Sequence, residues 1–146
     1  MRLVVDTSVL VGELLRASGR TRLADERLEL FLPEQMWGET KIELPRRISA
    51  FVRRRGLEPS LGAELTAACL TAVDANIVIL DEGIYAALEE EARQRSLRDP
   101  RDWPVVASAL ALNAAIWTND NDFLGTGIAT WTIDTLQCWH QRQPER

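Results

Sequence analysis

Short apolar runs, each ended by a polar residue or a proline, alternate along this chain with longer stretches whose apolar positions recur every three or four residues. Leu3 to Val5 is the first run and ends at Asp6. A run so short and wholly apolar fits an interior strand, buried on both faces of a parallel sheet. Thr7 or Ser8 is placed to cap a helix through Val9, Leu10, Leu14 and Leu15, with Ser18-Gly19 ending it. Arg20 to Glu29 predicts a second helix, and Leu30 to Leu32 a strand closed by Pro33. Glu34 to Arg55 predicts a helix carrying Met36, Trp37, Ile42, Ile48, Phe51 and Val52, with Pro45 expected to kink or break it. Gly56 to Pro59 reads as a turn.

Leu61 to Val73 predicts a well-buried helix, Asn76 to Leu80 an extended segment, and Gly83 to Arg95 a helix with an acidic face. After a polar connector comes the most informative stretch, Asp102 to Phe123, DWPVVASALALNAAIWTNDNDF. Pro104 suits the first turn of a helix. Val105 to Leu112 is nearly all apolar, Asn113 and Ala114 turn the chain, and Ala115 to Thr118 reads as an interior strand. Gly125 and Gly127 mark a loop, Ala129 to Ile133 an edge strand, and Asp134 is expected to cap a last helix ending at His140. Strands alternate with helices, so the expected class is α/β with a mostly parallel central sheet. One domain over residues 1–140, with a polar tail over 141–146, accounts for the 146 residues.

This topology gathers acids that lie far apart in sequence. In open α/β sheets, sites form beyond the carboxyl ends of the strands. Asp6 ends the first strand there. A helix and the strand after it run in opposite directions, so Asp102, before its helix, and Asp120 and Asp122, after the next strand, reach the same edge. Glu39, one to two turns into the third helix, can reach it as well. Each acid also has a plain structural role open to it. Asp102 can be a helix cap, Asp120 and Asp122 can be turn residues, and Glu39 can be a surface residue sharing its face with Glu43.

Charge alters this picture in one respect. The net charge of −5 speaks against a non-specific nucleic-acid binder. The basic residues are nearly all arginine, with Lys41 the only lysine, and they cluster as Arg46, Arg47, Arg53, Arg54 and Arg55, then Arg93, Arg95, Arg98 and Arg101. Arginine's planar fork suits phosphate, and Arg46 and Arg47 are candidates for holding substrate. The second cluster is more simply a solvated face paired with Glu89, Glu90 and Glu91. Apolar runs of about eight residues are too short for the ~20 that span a bilayer. The start of the chain does not read as a signal peptide. Cys69 and Cys138 form no disulfide framework, which points to a reducing cytoplasm.

Crowded carboxylates must take up protons or be neutralised by a cation, and an all-oxygen ligand set favours Mg²⁺ or Mn²⁺. The single histidine, His140, leaves no triad, and there is no Cys-His zinc site or glycine-rich phosphate loop. Metal-assisted phosphoryl chemistry remains.

The pieces LVVDTSVLV, PEQMWGETKIELPRR and DWPVVASALALNAAIWTNDNDF, in this order and spacing, resemble a PIN-domain ribonuclease, most closely a bacterial toxin of the VapC type. The resemblance implies a three-layer α/β/α fold and divalent-metal-dependent cleavage of RNA. It places the four family acids on Asp6, Glu39, Asp102 and Asp120. Asp122 would assist through water, and Thr7 and Thr118 fall on small hydroxyl positions. Glu43 competes with Glu39. The resemblance also implies a homodimer and a small antitoxin partner. Two rival readings stand beside it. A haloacid-dehalogenase-like phosphatase would want an acid where Ser8 stands and a dedicated lysine. A non-catalytic module binding RNA or a protein would be expected to have lost some of the acids.

Overall fold

The computed structural model describes residues 1–142. Five parallel strands form one sheet, β1 (Arg2–Val5), β2 (Glu29–Pro33), β3 (Ile77–Leu80), β4 (Ala115–Trp117) and β5 (Thr130–Trp131), in the order β3-β2-β1-β4-β5. From β1 the chain builds outward to β2 and β3, then returns to lay β4 on the other side of β1. The sheet therefore reverses its winding between β1 and β4, and such a switch point opens a crevice beyond the strand ends.

Helices cover both faces, giving the expected three-layer α/β/α arrangement. In chain order they are α1 (Thr7–Leu14), α2 (Ala17–Leu23), α3 (Glu34–Arg54), α4 (Pro59–Asn76), α5 (Glu82–Tyr85), α6 (Glu89–Arg95), α7 (Trp103–Leu112) and α8 (Ile133–Arg142). α7 packs on β1, β2 and β4 with α5 and α6 beside it, while α1, α2, α3 and α4 pack against one another. The core centres on β1, whose Leu3, Val4 and Val5 are fully buried. Among the described residues, no helix is long and apolar enough to cross a membrane.

Several local expectations are corrected. Ser18 and Gly19 do not end α1; they lie inside α2, and α1 stops at Leu14. The reason is a close approach, because a Cβ on Gly19 would meet the Glu13 carbonyl oxygen at 2.1 Å. The Glu13 side chain is itself fully buried and bonded by Arg16 and Arg22, which tie α2 to α1. Pro45 does not break α3, which runs unbroken from Glu34 to Arg54. Met36, Thr40, Leu44, Ile48 and Val52, four residues apart, are buried along one stripe, while Pro45 and Lys41 are exposed. The carbonyl deprived of its partner, four residues before the proline, is thus on the solvated side where water can satisfy it.

Ile42, one of the apolar residues of α3, is 60% exposed. α4 buries only Cys69, Ala72 and Val73, so it is a surface helix and not the well-buried one expected. The predicted helix from Gly83 to Arg95 is divided into α5, a 3-10 turn and α6. Asp134 is not the cap of α8. The Thr132 and Thr135 hydroxyls each accept from the other's backbone N–H, at 3.1 and 2.9 Å, a reciprocal box in which Thr132 is the capping residue. α8 also runs beyond His140 to Arg142, and residues 143–146 of the expected tail lie outside the described residues.

Replacing Gly19 with alanine forces side chain against backbone, not against a flexible tip. Gly19→Ala should lower stability by about 1–3 kcal/mol. Urea unfolding should show a lower midpoint at an unchanged slope, and a midpoint equal to wild type would contradict the close packing of α1 on α2.

Candidate active site

The crevice at the switch point is a cleft of about 490 Å³ lined by Asp6, Thr7, Ser8, Val11, Met36, Glu39, Ile42, Glu43, Arg47, Asp102 and Asp120. Four of the sequence-predicted acids, Asp6, Glu39, Asp102 and Asp120, therefore share one space. Glu43 lines it too, because residues four apart on α3 point the same way. A larger groove of about 670 Å³ between α3 and α4 holds no carboxylate, so the chemistry and not the volume marks the candidate site.

Each acid arrives by a different local device. Asp6 extends the β1 ladder by donating its N–H to the Trp117 carbonyl at 3.0 Å, and it opens α1 at the next residue. The expectation that Thr7 or Ser8 caps α1 is corrected, since Asp6 holds the cap position and the two hydroxyls sit inside the helix. Ser8 and Thr118 both donate to Asp6 Oδ2, at 2.9 and 3.1 Å. Thr118 also accepts from the Asp120 N–H at 2.9 Å, which fixes the loop after β4 against the end of β1. Asp120 then accepts from the Asp122 N–H, closing an Asp-centred turn. Asp102 is held between a 3-10 turn and α7, with Pro104 in the first helical turn as expected. Its side chain makes no capping bond, so its plain structural role is not exercised. The α7–β4 connection turns at Asn113, whose φ of 49° is left-handed, a conformation asparagine tolerates well.

Charge crowding is visible in the acidities. Asp6 is only 8% exposed, and burial raises its carboxyl above the ordinary value despite the two hydroxyl bonds; Asp120 adds to the rise. Asp102 is pushed up to about 7, first by burial and then by the charges of Asp99, Asp6, Asp120 and Asp122. No cation among the described side chains pairs with Asp102 or Asp6.

Of the other predicted site residues, Thr7 and Arg47 line the cleft, while Asp122, Arg46 and Thr118 fall outside its lining. Asp122 is paired with Arg98 at 3.1 Å and is near enough for its charge to act on Asp102. Arg47 lines the cleft, 4.0 Å from Glu43, whereas Arg46 is exposed beside it. Thr7 is at the cleft, with a hydroxyl that lacks a hydrogen-bond partner. Within the second arginine cluster, Arg93 and Arg95 pair with Glu89 and Glu91, as the solvated-face reading expects. Arg98 and Arg101 depart from it, pairing instead with Asp122 and Asp99. Two contributors do not stand out in the sequence. Ser8 reads there only as a cap, although a hydroxyl two residues after an aspartate is a natural partner for it. Asp99 lies in a connector, and its closeness to Asp102 is signalled only by the three-residue spacing.

The chain matches the sequence profile of the PIN domain over residues 4–141. The chain belongs to the PIN-domain family. Among curated proteins, none matches it. PIN domains are generally nucleases and typically use divalent metals.

Fit to such a metal can be judged from the donors in the cleft. Among the described residues, no three acidic, histidine or cysteine side chains stand together as a ready ligand set. Mg²⁺ does not need one, since it keeps several waters and takes one or two carboxylates together with substrate phosphates. Oxygen-only donors, with the carboxyls of Asp6 and Asp102 made harder to ionise by burial and neighbouring charge, fit a hard divalent ion in that partial mode.

The raised carboxyl of Asp102 has a consequence for stability. Its ordinary value is 3.8 and its folded value about 7. Between those two pH values the unfolded chain has released a proton that the fold retains. Stability from this group therefore falls as pH rises through the window, and the penalty is complete above it. Asparagine cannot ionise. Asp102→Asn should melt above wild type at pH 8 in the absence of divalent cations, and the gap should close toward pH 4. A variant melting below wild type at pH 8 would refute the crowding.

Proposed function

We propose that this PIN domain is a divalent-metal-dependent endoribonuclease that hydrolyses RNA phosphodiester bonds, and that it is the toxin of a VapBC-type toxin–antitoxin pair. The observation that carries the nuclease reading is the meeting of Asp6, Glu39, Asp102 and Asp120 in one cleft at the switch point of the sheet. The toxin assignment rests on the resemblance of the three motif stretches to VapC proteins. It brings with it a small antitoxin partner, a homodimer and a cytoplasmic location.

Asp6, Asp102 and Asp120 would hold Mg²⁺ or Mn²⁺, with Asp122 assisting through water. When bound, the ion supplies charge neutralisation at a phosphate and a water of lowered pKa. The chain's own residues do the rest. Ser8 and Thr118 fix the Asp6 carboxylate so that it need not reorganise on binding. Glu39, or Glu43 one turn further along α3, faces the aspartates across the cleft and can orient the attacking water. Arg47, on the same wall, provides a guanidinium for the non-bridging phosphate oxygens. The unpartnered Thr7 hydroxyl is available to a substrate oxygen.

The phosphatase alternative lacks its parts. Ser8 holds Asp6 and stands where that chemistry wants an acid, and the Lys41 ammonium lies 5.7 Å from the centre of the Trp37 ring, with Lys41 absent from the cleft lining.

The test is cleavage of a mixed-sequence single-stranded RNA by purified protein with Mn²⁺, Mg²⁺ or EDTA. Cleavage should require the metal and fall at least about 100-fold in both Asp6→Asn and Asp102→Asn. Equal cleavage by wild type and variants would identify a contaminating nuclease and remove the support. Comparing Glu39→Gln with Glu43→Gln then assigns the second acid, with the larger loss of kcat marking it.

A further inference from the structure

Among the described residues, most arginines with neither an ion pair nor a hydrogen bond lie on one helix, α3, or at its end. Arg2, Arg16, Arg22, Arg93, Arg95, Arg98 and Arg101 each pair with a carboxylate. Arg46, Arg53 and Arg54 on α3 are exposed and have neither an ion pair nor a hydrogen bond among the described residues. At ~3.6 residues per turn, Glu39, Glu43, Arg46, Arg47, Arg53 and Arg54 fall within about a third of the helix circumference. That stripe begins in the cleft and runs roughly 22 Å along α3 to Arg54. Its first turns carry acids and its last turns carry cations.

Beside the stripe lies the groove between α3 and α4, of about 670 Å³. Its walls are Ile48, Val52, Leu57 and Ala63, with Ser49 and Arg53 among the polar residues lining it. Gly62 packs its backbone directly over this region, where a Cβ would stand 3.7 Å from Val52. An apolar slot bordered by a guanidinium suits an unstacked base, which lies flat on apolar or guanidinium surface while its phosphate meets a cation.

We propose that the arginine stripe of α3 and the α3–α4 groove form a binding site for single-stranded RNA leading away from the cleavage cleft. Arg46, Arg53 and Arg54 take successive phosphates, Arg47 hands the strand into the cleft, and the groove accepts a base on that side. Charge complementarity commits the surface to a polyanion. In a chain of net charge −5, a run of unneutralised cations serves neither an ion-pair network nor a neutral partner. This site rests on the nuclease reading for the direction in which the strand runs, but its binding can be measured separately.

The experiment uses full-length Asp6→Asn protein, which leaves the RNA intact, and a fluorescein-labelled mixed-sequence single-stranded RNA followed by anisotropy over a range of salt. Combining Arg46→Ala, Arg53→Ala and Arg54→Ala should weaken binding and make the slope of log K against log salt shallower by about 2, at roughly 0.7 for each phosphate no longer neutralised. Arg2→Ala, at the opposite end of β1, is the charge control and should leave the slope as it was. RNA carrying 4-thiouridine should crosslink to residues 45–66. An unchanged slope in the triple variant, crosslinks confined to the cleft, or a second copy of the chain shielding the groove would each overturn the site. If wild type cleaves RNA while the triple variant keeps its slope, this site falls and the nuclease reading stands. RNA binding through the stripe with no cleavage under any metal is the reverse, and absence of RNA binding removes both. All three substitutions are at exposed positions, and circular dichroism melts will verify that the variants remain folded.

Discussion

Everything at the cleft follows from the way the central strand ends. β1 is buried on both faces and lies between β2 and β4, so its position is fixed by two ladders and by the helices packed over it. Asp6 is the next residue, and its backbone N–H is still part of the sheet. The carboxylate cannot relocate without breaking the core. Several favourable contacts bear on it, namely two hydroxyl donors and the start of α1, where partial positive charge favours an anion. Burial nevertheless wins, since the carboxyl remains harder to ionise than in water. A rigid, partly desolvated carboxylate is poised for a cation, and the strand that holds it is too well packed to let it escape.

The same chain shows two ways to bury an acid. Glu13 is completely buried and receives two arginines at 2.6 Å, so its charge is answered within the fold. Removing either partner would strand a charge, which makes this triad a structural fastening between α1 and α2. Asp6 and Asp102 are given hydroxyls or nothing, and other carboxylates as neighbours. A chain with so many arginines could have placed one there. Leaving these acids unanswered costs stability, and an uncompensated cost in charged groups that line a cleft marks a place shaped for a ligand.

How much of this can be read from sequence depends on whether local and long-range forces agree. β1, β2 and the α7–β4 unit are legible because apolar pattern, turn chemistry and burial all point one way; Asn113 in its left-handed turn and Pro104 in the first turn of α7 are examples. The convergence of Asp6, Glu39, Asp102 and Asp120 follows from topology alone, once a parallel sheet is assumed. What fails has tertiary causes. Gly19 reads as a helix end, yet it permits two helices to touch at the Glu13 carbonyl. Pro45 reads as a break, yet buried residues on either side hold α3 through it. Ile42 reads as one of the apolar positions of α3, and it is a wall of the cleft. The pattern cannot separate Glu39 from Glu43, because both satisfy the same helical spacing and both reach the cleft. The division of the second arginine cluster depends on which carboxylates the connector before α7 meets.

The arrangement of charge in and around the cleft also couples its ligands. Carboxylates alone repel a phosphodiester, so the strand gains little from entering the cleft while it is purely acidic. On the proposed function, a divalent cation held there would reverse the sign of the field where the scissile phosphate is to sit. Phosphate oxygens would in turn supply donors that such an ion needs, since no three of the side chains that could ligate a metal are gathered among the described residues. Each ligand would therefore raise the affinity of the other by the same factor, as linkage requires. The Arg47 guanidinium lies between the two regimes, 4.0 Å from Glu43 and open to solvent. It is held loosely enough to exchange that carboxylate for a phosphate, and an exposed pair of this kind costs no more than about 1 kcal/mol to open. On the proposed reading, acidic cleft and basic approach would act in sequence along one helix, the arginines drawing the strand in and the carboxylates, once they hold a cation, admitting it.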